Sequence, residues 1–144
     1  EQAVTETITM LRRAERSIKI MTRDFSWIDR ALPEIKDVME TRPNVMVQLL
    51  VSWKNLREDH QKSLEDLGSF GHLVIRELAV PEVFRLSIVD DSEAYIVKKR
   101  TNEKKVDVEG VVHVPDADFV KTILCAYFES RWTSHSSKTV FPKR

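Results

Sequence analysis

An α/β domain with a mixed, partly parallel sheet and helices on both faces is predicted by three features of this 144-residue chain. Up to Pro81, short apolar runs alternate with stretches of helical periodicity, a βαβαβ rhythm that favours parallel strands. After Pro81 the rhythm changes to strands alone, and a single helical stripe follows near the C-terminus. The length suits one domain, 1–144, with one core.

Each element follows from its own pattern. Val4, Ile8, Leu11, Ala14 and Ile18 recur at steps of three and four, which predicts an amphipathic first helix leading into a strand at 17–21. Ile28, Ala31, Leu32, Ile35, Val38 and Met39 keep the same spacing. Because proline is comfortable only in a first turn, Pro33 predicts that the second helix begins near Leu32, after a short turn at 26–30. The nearly continuous apolar run at 44–51 predicts a strand covered on both faces. Asn55 is the expected N-cap of a third helix, with Leu56, Leu64 and Leu67 on one face and Gly68 at its end. A third strand, "HLVIRELAV", ends at Pro81.

The segment "FRLSIVDDSEAYIV", 84–97, reads as a hairpin turning at Asp90 and Asp91. The run 106–114 adds a strand with a bulge expected at Gly110. Asp116 and Asp118 favour a helix start, and Phe119, Ile123, Tyr127 and Trp132 are its expected buried side. Beyond Trp132 a frayed polar tail is expected.

Composition removes several function classes. Lys plus Arg and Asp plus Glu both number 23, so no global field draws the domain to nucleic acid or an anionic membrane. The basic cluster "KKRTNEKK" at 98–105 reads as a solvated hairpin tip. No run approaches the roughly 20 apolar residues of a membrane span. Cys125 is the single cysteine, which fits packing and a reducing, cytoplasmic setting. The four histidines are scattered, and no metal motif, Walker loop or nucleotide-binding glycine fingerprint occurs. No metal, cofactor or catalytic residue is therefore assigned.

Binding is a different matter, because α/β sheets seat ligands beyond the carboxyl ends of their parallel strands. Those ends carry Thr22, Arg23 and Asp24 after the first strand, and Ser52, Trp53 and Lys54 after the second. An aromatic platform beside cations and hydroxyls suits a small polar or anionic ligand.

The order of elements, with "LEDLGSFGHLVIRE", "FRLSIVDDSEAYI" and "YFESRW", resembles the phospholipase D-like fold, in particular the C-terminal effector-binding domains of TrmB-type archaeal transcription regulators. In the enzymes of that fold the hairpin carries a histidine, a lysine two residues on, and an aspartate five residues later. Matching the aspartate to Asp90 puts Arg85 at the lysine and Val83 at the histidine; matching it to Asp91 gives Leu86 and Phe84. Either way the nucleophile is missing, since neither valine nor phenylalanine offers an electron pair for covalent attack.

The resemblance implies a phospholipase D-like fold with its catalytic motif lost, serving as a non-catalytic ligand-sensing and dimerisation domain. It also implies a homodimer, an effector that is small and polar or anionic, and DNA contact only through an N-terminal winged helix absent from this chain. The start at Glu1 fits a piece of a longer protein. Arg23, Trp53, Lys54, Arg85 and Asp90 are the expected ligand-binding residues, with Arg23, Trp53 and Arg85 converging on one pocket. A degenerate association module and an active hydrolase are the alternatives.

Overall fold

The computed structural model describes residues 2–23, 25–79, 82, 84–101, 107–134 and 136–143. Helices α1 (Gln2–Leu11), α2 (Ile28–Thr41) and α3 (Glu58–Leu67) alternate with strands β1 (Ser17–Thr22), β2 (Met46–Val51) and β3 (His72–Glu77). Strands β4 (Arg85–Val89), β5 (Glu93–Thr101) and β6 (Asp107–Val114) follow. Helix α4 (Ala117–Phe119) then runs through a π-helical turn (Val120–Leu124) into α5 (Cys125–Trp132), before β7 (Thr139–Phe141).

One seven-stranded sheet results, in the order β6-β5-β4-β1-β2-β3-β7. As the rhythm predicts, β1, β2 and β3 are parallel, whereas β4, β5 and β6 form an antiparallel meander whose first strand pairs antiparallel with β1. Alternation along the strands splits the core in two. Ile18, Ile20, Val47, Leu49, Leu73 and Ile75 meet α1, α2 and α3 on one face. Met21, Leu50, Leu86 and Ile88 meet Val120, Leu124, Phe128 and Trp132 on the other. Helices thus cover both faces. Each fully buried Leu or Ile contributes about 1.5–3 kcal/mol, so this double layer dominates stability.

Several local expectations need correction. Helix α1 stops at Leu11; Ala14 is buried in the connection and Ile18 in β1, so the apolar stripe continues after the helix has ended. Helix α2 starts at Ile28 and keeps Pro33 inside it. The ring forfeits only the bond to Asp29, one turn from the start, while Ile28, Arg30 and Ala31 donate to carbonyls of Phe25 and Trp27. Asn55 closes a 3-10 turn (Trp53–Asn55) and does not cap α3, whose N-cap is Arg57. Gly68 ends α3 with right-handed φ; a Cβ there would lie 2.3 Å from the ring of Phe141, so any larger residue would have to displace that ring. No bulge occurs at Gly110, which pairs in register with Lys98.

The largest corrections lie near the C-terminus. Val120, Leu124, Phe128 and Trp132 face the sheet, while Phe119 and Ile123 are exposed. Two apolar stripes one residue apart are written into this segment, and packing selects the second. The expected frayed tail contains β7, which pairs antiparallel with β3 at Ile75 and Arg76. Of the basic cluster, 98–101 belong to β5 and 102–105 lie outside the described residues, as do Asp24, Pro81, Val83 and His135.

Candidate ligand cleft at the strand ends

The carboxyl ends of the three parallel strands open on a cleft of about 370 Å³. Its walls are Arg23 after β1, Ser52, Lys54 and Asn55 after β2, Glu77, Leu78 and Ala79 at the end of β3, and Ser136. Local geometry fixes these walls. Leu78 donates its N–H to the Val51 carbonyl, which prolongs the β2–β3 pairing by one rung, and the Asn55 amide donates to Ser52 Oγ at 2.7 Å. The Glu77 carboxylate accepts the Trp53 backbone N–H, and Gln61 donates to the Trp53 carbonyl. The turn after β2 is therefore held from both sides.

Arg23 and Lys54 are exposed, and neither enters an ion pair among the described residues. Two exposed cations over a rim of hydroxyls, an amide and one carboxylate can pair with an anionic group while hydrogen-bonding a polar body.

Of the five residues expected to bind ligand, the cleft brings together two. Trp53 is half-buried and packs its ring against the α1–α3 core, so it supports the cleft from behind. Arg85 stands near the same end of the sheet but on the α1–α3 face, nine-tenths buried, with its guanidinium carbon 4.9 Å from the centre of the Trp27 ring. Phe25 packs against Trp27 at 4.8 Å, on the ring that roofs the arginine. The expected convergence of Arg23, Trp53 and Arg85 on one pocket is thus not found among the described residues: the segment after β1 folds inward over Arg85.

Asp90 lies at the opposite end of β4. Its carboxylate accepts the backbone N–H groups of Glu15, Arg16 and Ser17, where the chain enters β1. Asp90 and Asp91 both have left-handed φ, 55° and 53°, a conformation costing roughly 1 kcal/mol or more for a residue with a Cβ. The carboxylate bonds offset that strain. Asp91 accepts from Lys19 at 2.5 Å and from the Cys125 thiol at 3.3 Å. Burial pushes the Asp91 carboxyl up, but those hydrogen bonds and the lysine charge outweigh it and hold it below its ordinary value. Burial, with the bond to Asp91, raises the Cys125 thiol to about 11, which makes it a packing residue and a poor nucleophile. The acidic turn is architecture.

Just before β4, Glu82 accepts from Tyr127 Oη at 2.8 Å and from Arg131, and ties the approach to β4 onto α5. Burial, with that bond, raises the Tyr127 hydroxyl. Among the described residues the histidines are not grouped: His60 pairs with Asp29 and His113 with Glu93. No cluster of metal-ligating side chains exists among the described residues. Among the described residues no helix is long and apolar enough to cross a membrane.

Glu77 and Ser136 escaped the sequence reading. The strand-end rule, applied to the third parallel strand as to the first two, points to Glu77. Nothing local points to Ser136, which arrives because the segment after Trp132 turns back toward β3.

No protein-family model and no curated protein sequence matches this chain. Solved structures do match. The chain is similar to Nuc, a phospholipase D family member from Salmonella typhimurium, with a TM-score of 0.69 at 15% identity, covering 94% of this chain and 88% of that one. It is similar to NucT from Helicobacter pylori, with a TM-score of 0.67 at 16% identity over 95% and 90% of the two chains. It is also similar to TrmBL2, an archaeal chromatin protein with a novel mode of DNA binding, with a TM-score of 0.67 at 20% identity; 91% of this chain is covered, against 48% of that one. The fold is phospholipase D-like, as the hairpin and element order imply. It is shared by phospholipase D family members and by a DNA-binding chromatin protein about twice the length of the matched region.

Proposed function

We propose that this domain is a non-catalytic ligand-sensing and dimerisation module of a transcription regulator, with the strand-end cleft as the seat of a small polar or anionic effector. The observation that carries the reading is the pair of exposed cations, Arg23 and Lys54, on a polar cleft beyond three parallel strands. The catalytic alternative is disfavoured by the residues before β4: Val83 and Phe84 stand where a phosphodiesterase of this fold needs a nucleophile. Arg85 stays protonated and cannot attack. DNA contact belongs, in this reading, to a segment outside the domain, because the domain's own charge is balanced.

The test is a thermal-shift screen of the domain with sugars, sugar phosphates and small carboxylates, repeated on the Arg23→Ala, Lys54→Ala double variant. A true effector at 100 times its Kd adds about 2.7 kcal/mol of stability, lost in the variant. Stabilisation that persists in the variant places the site elsewhere. Turnover of a generic phosphodiester by the purified domain overturns the non-catalytic reading.

A further inference from the structure

Strand β6 ends the sheet on one side, with eight residues and no neighbour beyond it among the described residues. Natural sheets normally shield such an edge by shortness, proline or inward charge. The other edge obeys that rule, since β7 has three residues and Pro142 follows it. The β6 edge is longer and has no proline within it, and its Val111 and Val112 are 40% and 54% exposed. Phe119 and Ile123 are 46% and 50% exposed, so four of the six large apolar side chains exposed among the described residues belong to β6 or the helix after it.

Val120 and Leu124 point at the sheet, and Cys125 on one side of the helix reaches Asp91. Phe119 and Ile123 therefore occupy the other side of that helix. On the opposite sheet face Val111 borders a hollow of about 400 Å³ shared with Ala3, Glu6, Tyr95 and His113.

We infer that the β6 edge pairs antiparallel with β6 of a second copy of this chain, across a two-fold axis at Val111, and that this is the surface through which the domain dimerises. The argument is self-complementarity. Residues opposed in an antiparallel pair point to the same sheet face, so a two-fold axis through the sheet permits only pairs whose numbers have an even sum. Centring on Val111 opposes Val111 to itself, Gly110 to Val112, Glu109 to His113 and Val108 to Val114. No two like charges are then opposed, and Val112 meets a glycine that leaves it room. Centring on Gly110 sets Glu109 against Val111. Centring on Val112 sets Glu109 against Pro115, which has no N–H to give. The pairing is isologous and closes at two copies, as a discrete dimer requires.

This inference deepens the dimerisation half of the proposed function and is independent of the cleft. Sedimentation of the domain across micromolar to millimolar concentration is expected to show a monomer–dimer equilibrium. Val111→Glu and Val111→Lys, changes at an exposed position, are each expected to sediment as monomers with unchanged circular dichroism, because like charges then face each other across the axis. An equimolar mixture of the two is expected to restore the dimer. Amide hydrogen exchange on the parent chain supplies a second readout, with β6 amides slowing as concentration rises. A dimer indifferent to both charges, or β6 exchange independent of concentration, overturns this interface while leaving dimerisation standing. A chain monomeric throughout removes both.

Discussion

The two ends of β4 use charge in opposite ways. At the Asp90 end the carboxylates are consumed: one holds three backbone N–H groups at the start of β1, the next holds Lys19 and Cys125. At the Arg85 end the strand's own cation is roofed by Trp27, and the cations left for a ligand are Arg23 and Lys54 on neighbouring strands. A charge that has found fixed partners contributes to the fold, whereas an exposed charge with none costs little to change and remains available for binding.

Mutation at the Asp90 end has the largest expected effect. Asp90→Ala strands three N–H groups and leaves the left-handed φ without its compensation, so a loss of about 3 kcal/mol is expected, close to 10 °C in thermal midpoint. Asp90→Asn keeps one acceptor oxygen and is expected to lose about half as much. Chemical denaturation of the two variants checks the ranking; an Ala variant within about 0.5 kcal/mol of the parent would remove the architectural role of the turn.

At the other end, Arg85→Met is expected to cost about 2 kcal/mol through lost contact with Trp27 and lost hydrogen bonding, and to leave effector affinity at the cleft unchanged. A tenfold loss of affinity at unchanged stability would return Arg85 to the ligand site. Arg23→Ala and Lys54→Ala reverse the pattern: stability within about 0.5 kcal/mol of the parent and roughly tenfold weaker binding of an anionic effector, read by calorimetric titration.

The smallest effect concerns pH and separates the two ends again. Asp91 is held below its ordinary value, and so is Glu93, where burial pushes up but Arg13 and His113 push down harder. A carboxyl whose folded value is depressed contributes stability that is complete above its unfolded value, about 4, and lost as pH falls through the folded value. Acid titration of unfolding free energy should therefore steepen below about pH 4. Asp91→Asn and Glu93→Gln should each flatten that slope, while Arg23→Ala should not. Identical slopes in all three variants would mean that neither carboxylate is coupled to folding.

Much of this was legible in the chain itself. Period-two and helical spacing dictate the strands and most helices, since the sheet buries whichever face is apolar. The strand-end rule located Arg23 and Lys54 because a parallel sheet always opens its carboxyl ends together. Tertiary structure alone decided the rest. Phe119/Ile123 and Val120/Leu124 are equivalent stripes on paper, and only the π-helical turn and the second core layer choose between them. Arg85 alternates on its strand like a cleft residue, yet Trp27, which follows β1, folds over it. Ser136 reaches the cleft, and β7 the sheet, from sixty residues beyond β3, with no local signal. Local pattern reports which face a residue takes; which neighbours cover that face depends on the distant segments that pack there.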